Sequence, residues 1–126
     1  QTLSNLGASL ILLERYPEAV QRLSEALALD SYQAQAHNNL GVAFQFQGRV
    51  EEAIYHFSRA VQLDPEYLNA YNNLGIILAN QGRFEEAIAQ FSTALKINPG
   101  YKSARLNLEK SIKHQKIDRS PQQIAP

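Results

Sequence analysis

The sequence predicts an all-α chain, an array of stacked helix–turn–helix units closed by a C-terminal capping helix. Three observations carry that reading. Long segments return in register every 34 residues. Within each period the apolar residues recur at helical spacing. Glycine and proline fall between the periodic stretches, where helices end.

The repeat is visible by self-comparison. Asn38-Asn39-Leu40-Gly41 returns as Asn72-Asn73-Leu74-Gly75, and Gln47-Gly48-Arg49 as Gln81-Gly82-Arg83. Glu51-Glu52-Ala53-Ile54 returns as Glu85-Glu86-Ala87-Ile88, and Phe57, Ala60, Pro65 and Tyr67 return as Phe91, Ala94, Pro99 and Tyr101. Residues 34–67 and 68–101 agree at 17 of 34 positions. A weaker copy precedes them, with Leu6-Gly7, Ala19, Leu23 and Ala26 in register.

Each period reads as two helices. Tyr71, Leu74, Gly75 and Leu78 lie at i, i+3, i+4 and i+7, one face of a first helix. Gly82 supplies a left-handed C-cap, and Glu85-Glu86 open the second helix where its dipole favours carboxylates. Ala87, Ile88, Phe91, Ala94 and Leu95 form the second apolar face. Pro99 then stops it, with Asn98 before it disfavoured in helical geometry. Neither helix hides its stripe alone, so stability must come from stacking neighbouring units.

With Leu-Gly, Ala, Phe, Ala and Pro at these spacings, the unit resembles the tetratricopeptide repeat. The resemblance covers residues 1–101 and implies a right-handed superhelical array. It divides the chain into repeats at 1–33 (divergent), 34–67 and 68–101. The usual first tryptophan of the family is replaced by Leu3, His37 and Tyr71. The first copy has Ser31 in place of the terminal proline, and Glu14 where the later copies have glycine. Its turn must therefore be made without that glycine. Residues 102–117 are expected to form a capping helix with Ala104, Leu108 and Ile112 as its apolar stripe, and 118–126 an extended tail.

Composition narrows the function. The 126 residues are 44% hydrophobic and carry 12 basic and 12 acidic side chains, so the basic footprint of nucleic-acid binding is missing. Without cysteine there is no disulfide framework, thiolate metal site or cysteine nucleophile. No apolar run approaches the ~18 residues of a membrane span. The absence of methionine and the opening Gln1 suggest a piece of a longer protein. His37, His56 and His114 show no metal-ligand spacing. Glu51-Glu52 and Glu85-Glu86 point about 100° apart on their helices, and the dipole accounts for them. No phosphate-cradling loop or nucleophile elbow appears. Neither a catalytic site nor a cofactor is expected in this fragment.

What remains is the inner face of the array, lined by the first helix of each pair. Two residues before each glycine stand Asn5, Asn39 and Asn73, with Asn107 in register on the capping helix. Asn38 and Asn72 stand beside them and are expected to contact a ligand as well. Asparagine is a poor helix former, so four at one repeat position point to a role beyond helix formation. A primary amide pairs with a peptide group through donor and acceptor together. The column is similar to the asparagine ladder in the repeat region of O-linked N-acetylglucosamine transferases, which implies that Asn5, Asn39, Asn73 and Asn107 grip a guest main chain. Bridging adjacent helices is the other role these residues fit. Val42, Phe46 and Ile76 add apolar footholds. Only the last helix brings cations, Lys110 and Lys113, so an acidic C-terminal tail is not the expected ligand.

The expected function is a non-catalytic protein–protein interaction module holding an extended peptide or a partner helix in a concave groove, without nucleic-acid or membrane partners. Two alternatives stay open. One is a regulatory or substrate-selecting segment of a larger enzyme such as a glycosyltransferase. The other is a self-association scaffold using the apolar edge Ile11, Leu12 and Leu13.

Overall fold

The computed structural model describes residues 3–118, and among them every regular element is an α-helix. First helices are α1 (Leu3–Leu12), α3 (Ala34–Phe46), α5 (Leu68–Asn80) and α7 (Lys102–Asp118). Second helices are α2 (Tyr16–Leu29), α4 (Val50–Leu63) and α6 (Phe84–Ile97). Second helices begin at residues 16, 50 and 84, and α3, α5 and α7 at 34, 68 and 102, so the sequence period is also the structural one. This is an all-α helical repeat array. The extended tail expected from 118 onward lies, beyond residue 118, outside the described residues.

The chain falls into two compact units, one ending at Ala70 and one starting at Tyr71. In the first unit α1 packs on α2, α2 on α3 and α3 on α4, with α1 also touching α3. Leu23, Leu40 and Phe57 are fully buried there among Ala19, Ala43, Ala53 and Ala60. The alternation of small and large is steric. A Cβ added to Gly41 would sit 2.6 Å from the Phe57 ring, and one on Gly7 would strike Leu23 as closely. In the second unit Gly75 makes the same approach to Phe91, with Ala87, Ala94 and Ala104 buried around it. Burying each such leucine or phenylalanine contributes about 1.5–3 kcal/mol, which only close packing of hairpins secures.

The turns inside the pairs are alike in all three copies. Gly48 and Gly82 adopt φ of 74° and 76°, and Glu14 adopts 59° at the matching position. Each turn closes with the same backbone bond three residues past the helix, donated by Arg15 to Leu10, Arg49 to Phe44 and Arg83 to Leu78, all 2.9 Å. The first copy therefore keeps the turn without the glycine that eases it. The arginine after each turn pairs with a glutamate three residues on, Glu18, Glu52 or Glu86, at 2.5–2.7 Å. One member of each acidic pair in the second and third copies thus holds its own helix start. Exposed pairs of this kind contribute at most about 1 kcal/mol.

The exits of the second helices share a device as well. Asp30, Asp64 and Asn98 leave the helix in extended conformation. Their side-chain oxygens accept from the backbone N–H two residues on, at Tyr32, Glu66 and Gly100. The first copy makes this turn with Ser31 in place of proline, because the aspartate supplies the local bond.

Helix α7 departs from the apolar stripe expected of it. Ala104 and Ser111 are its buried residues, and Leu108 is half-buried, but Ile112 is 37% exposed. Seven residues make nearly two full turns, so Ser111 returns to the face of Ala104 while Ile112 lies about 100° away. A serine rather than an isoleucine therefore covers the preceding pair.

Candidate functional site

The residue one before each column asparagine has a partner 29 positions later. Ser4 Oγ donates to Gln33 Oε1 at 2.9 Å, and Gln33 Nε2 donates onward to the carbonyls of Ala26 and Asp30. Asn38 hydrogen-bonds Tyr67, and Asn72 hydrogen-bonds Tyr101. In both cases burial is the main influence on the phenol and pushes its pKa up, while the asparagine bond opposes it. Ser4, Asn38 and Asn72 are all buried. The bonds tie each first helix to the segment that leads out of its repeat.

The column residues themselves differ along the chain. Asn5 is exposed on α1, while Asn39, Asn73 and Asn107 are half-buried on α3, α5 and α7. In the second unit Asn107 Nδ2 donates to Asn72 Oδ1 at 3.0 Å, bridging α7 and α5. Asn39, in the same register in the first unit, has a buried Nδ2 without a hydrogen-bond partner. The reason is chemical. Asn107 finds a carboxamide oxygen on the preceding first helix, whereas the residue 35 positions before Asn39 is Ser4, whose hydroxyl is turned to Gln33.

Beside the column the apolar footholds are open. Val42 and Ile76 are half-buried, and Phe46 is 63% exposed. Phe46 is nonetheless held: its ring stacks on Tyr16 of α2 with centroids 5.2 Å apart and planes 12° apart. Asn39, Val42 and Phe46 fall at i, i+3 and i+7, one strip along α3. The first helices α1, α3 and α5 contain no Asp, Glu, Lys or Arg, so the strip presents amides and apolar groups alone.

One arrangement escapes sequence inspection. His37 on α3 and His56 on α4 stack with centroids 5.2 Å apart, and their Nδ1 atoms approach to 3.0 Å. His37 Nε2 lies 3.2 Å from the Ser31 carbonyl, which only accepts, so that nitrogen carries the proton. In the neutral pair His37 Nδ1 is then the acceptor and His56 Nδ1–H the donor. Burial holds both imidazoles below their ordinary range. His56 is lowered to about 4, chiefly by burial and next by His37, against the pull of Glu52. At His37 burial leads, the Ser31 bond opposes it and Arg59 adds to it. Nineteen residues separate the two rings, and no local spacing links them. Among the described residues no cluster of three or more His, Asp or Glu side chains could hold a metal ion.

This helical-repeat geometry matches a known family. The tetratricopeptide repeat family model matches residues 1–66 and again 32–100, so the chain belongs to that family. Its fold is similar to the Arabidopsis OM64 TPR domain, with a TM-score of 0.85 at 25% identity, covering 89% of this chain and 93% of that one. It is similar to MamA at TM-score 0.85 and 26% identity, covering 90% of this chain and 62% of that chain. The second TPR domain of human RPAP3, solved in complex with an HSP70 peptide, SGPTIEEVD, is 26% identical with a TM-score of 0.82. That match covers 87% of this chain and 92% of the RPAP3 domain. No curated protein matches the chain by sequence.

Proposed function

We propose that this chain is a non-catalytic protein–protein interaction module whose first-helix faces hold an extended peptide or a partner helix. The observation that carries the reading is the strip on α3. Phe46 is 63% exposed yet fixed against Tyr16, with the Asn39 amide and Val42 along the same face. A pre-ordered exposed aromatic beside a polar amide is the make-up of a binding anchor, because little side-chain freedom is lost on contact. The RPAP3 domain, similar in fold and solved with a peptide, supports the same class of function.

The asparagine column enters this reading unevenly. Asn38 and Asn72 serve the fold through their tyrosines, and Asn107 bridges to Asn72. Asn5, Asn39 and Asn73, with Val42, Phe46 and Ile76, are the residues we assign to ligand contact. The likeness to the glycosyltransferase ladder rests on the column's register, and the same surface would serve as the substrate-selecting segment of a larger enzyme.

The test is selection of peptides from a random library on the intact chain. Peptides so recovered should bind the combined Asn39→Ala and Phe46→Ala variant about tenfold or more weakly, a loss of about 1.4 kcal/mol. Helicity and melting temperature should stay close to wild type. Equal affinity for the variant, or no recovered peptide, would sink the reading. Asn39→Ala with Asn73→Ala should weaken the same peptides.

Self-association is a second reading, favoured by Leu12 and Leu13, which are 85% and 64% exposed at the end of α1. Light scattering over a concentration series, with Leu12→Glu as the control, decides it. A monomer at every concentration removes it.

A further inference from the structure

The second unit contains a cleft of about 320 Å³ formed by α5, α6 and α7. Its floor is apolar, made by Ile76, Ala79, Phe84 and Phe91. Its α7 side is polar, with Asn107, Lys110, Ser111 and His114 at i, i+3, i+4 and i+7: Lys110 and His114 stand exposed at the rim, Asn107 is half-buried and Ser111 buried. Asn80 faces the same space from α5. The His114 ring lies flat on Phe84, with centroids 5.7 Å apart and planes 13° apart, and so closes one wall.

Comparison of the copies shows what is special about this rim. In register with Lys110, Ser111 and His114 stand Ile76, Ile77 and Asn80, and one copy earlier Val42, Ala43 and Phe46. The asparagine is kept while apolar followers become a cation and a hydroxyl. Lys110 is exposed, and no acidic residue lies three or four positions from it on α7 to neutralise it. Helices α1, α3 and α5 are uncharged, but α7 carries five lysines and arginines against Glu109 and Asp118. The first-helix series therefore changes from neutral to cationic at this cleft.

We propose that the cleft is a subsite for an internal apolar–acidic pair in a bound peptide, the apolar side chain on the Phe84–Ile76 floor and the neighbouring carboxylate on Lys110. The proposal rests on the peptide-binding reading above and gives it a ligand chemistry. One ammonium at the edge of an apolar pocket suits a single carboxylate. A volume near the lower end of the ~300–1,000 Å³ range of ligand pockets suits one apolar side chain. Asn80 supplies a further amide at the rim.

The probe is the N-acetylated, C-amidated tetrapeptide Ala-Leu-Glu-Ala, titrated to millimolar concentration into the ¹⁵N-labelled intact chain and followed by NMR. The amide signals of Asn80, Lys110, Ser111 and His114 should shift together. The analogue with glutamine for glutamate should bind roughly threefold to fivefold more weakly. The analogue with glycine for leucine should lose most of the shift. Lys110→Gln should erase the preference for glutamate over glutamine and leave helicity unchanged. Equal binding of the glutamate and glutamine peptides, a preference that survives Lys110→Gln, or shifts gathered elsewhere would overturn the proposal. So would equally tight binding of an acetylated Ala-Ala-Leu with a free C-terminus, since a chain end would then supply the carboxylate. Library peptides that bind while the tetrapeptide leaves these four amides unmoved would end the subsite and spare the module. Tetrapeptide binding without any library peptide would do the reverse.

Discussion

Position 4 carries serine where positions 38 and 72 carry asparagine, and the difference reaches the next first helix. In the second unit Asn72 holds Tyr101 and also accepts from Asn107, so α5, α7 and the intervening segment are tied through one carboxamide. In the first unit Ser4 holds Gln33 and gives nothing to Asn39, whose amide nitrogen is buried and makes no hydrogen bond. The column is thus one residue type in two situations. Asn107, facing the Asn72 carboxamide oxygen, is a brace. Asn39, behind a Ser4 hydroxyl already engaged with Gln33, is left with a buried amide nitrogen that makes no bond. A repeat position need not have one role, and the neighbouring copy decides which it takes.

The largest effect expected from this contrast is at Asn72. Asn72→Ala removes a buried carboxamide and leaves Asn107 and Tyr101 each short of a partner. Unsatisfied buried polar groups cost about 1–3 kcal/mol each, with partial relief where water reaches them, so a loss of roughly 2–3 kcal/mol is expected in urea unfolding. Asn39→Ala deletes a donor that makes no bond and should stay within about 0.5 kcal/mol of wild type. Equal losses at the two sites would erase the distinction drawn between them.

The second and third copies differ at another pair. His37 and His56 stand where the third copy has Tyr71 and Gln90. An unfolded histidine takes up its proton near pH 6.5, whereas folded His56 resists protonation until about pH 4. The unfolded chain therefore binds more protons across that window, and stability falls as pH drops from about 6.5 toward 4. The facing groups work in both directions: Glu52 favours the charged ring of His56, and Arg59 disfavours that of His37. With allowance for solvent screening of a half-exposed ring, the loss between pH 7 and 4.5 is about 1–2 kcal/mol. Replacing the pair with the third copy's residues, His37→Tyr with His56→Gln, should remove that part of the acid sensitivity. An unchanged difference between the two pH values would show that other groups carry it.

The repeat made most of the fold legible. Identical residues 34 positions apart fix helix starts, the Gly48 and Gly82 caps and the Gly41–Phe57 and Gly75–Phe91 contacts, because each depends on local spacing or residue size. The site was less legible for a physical reason. Asn38 and Asn39 are neighbours in sequence, but they point about 100° apart, one toward Tyr67 and the other to a face shared with the preceding helix. Which asparagine is bonded depends on residues 29 or 35 positions away. The His37–His56 bond has no counterpart in the other copies, so periodicity gives no hint of it. At Ile112 the reason is simpler: apolar character suggests it for the buried face, whereas helical phase places Ser111 there.

Converting the first copy toward the others should restore the missing bond. Ser4→Asn would place a carboxamide oxygen where Asn72 holds one for Asn107, giving Asn39 Nδ2 an acceptor. A satisfied bond of this kind adds about 1 kcal/mol. Asn38 shows that asparagine at this position also serves position 29 onward, so the Gln33 contact need not be lost. Hydrogen exchange at the α1–α3 packing should slow together with the rise in stability. A neutral or destabilising outcome would mean that the register of α1 and α3 differs from that of α5 and α7 by more than the side chain.

The smallest expected change concerns Glu14. It holds φ of 59° where Gly48 and Gly82 hold 74° and 76°, and a side chain in that region costs about 1–2 kcal/mol. The turn persists because the Arg15-to-Leu10 and Glu14-to-Ile11 backbone bonds and the Arg15–Glu18 pair are all made. Glu14→Gly relieves the strain but adds freedom to the unfolded chain, which takes back part of the gain. The net should be a stabilisation of about 0.5–1 kcal/mol. The reverse change, Gly82→Glu, should destabilise by a similar amount, since nothing lies within 4 Å of the site to help or hinder the side chain. Opposite shifts of matched size in thermal unfolding would show that one turn geometry is imposed on every copy by its flanking bonds. If Glu14→Gly is neutral while Gly82→Glu is costly, the first copy compensates for its glutamate by contacts that the later turns lack.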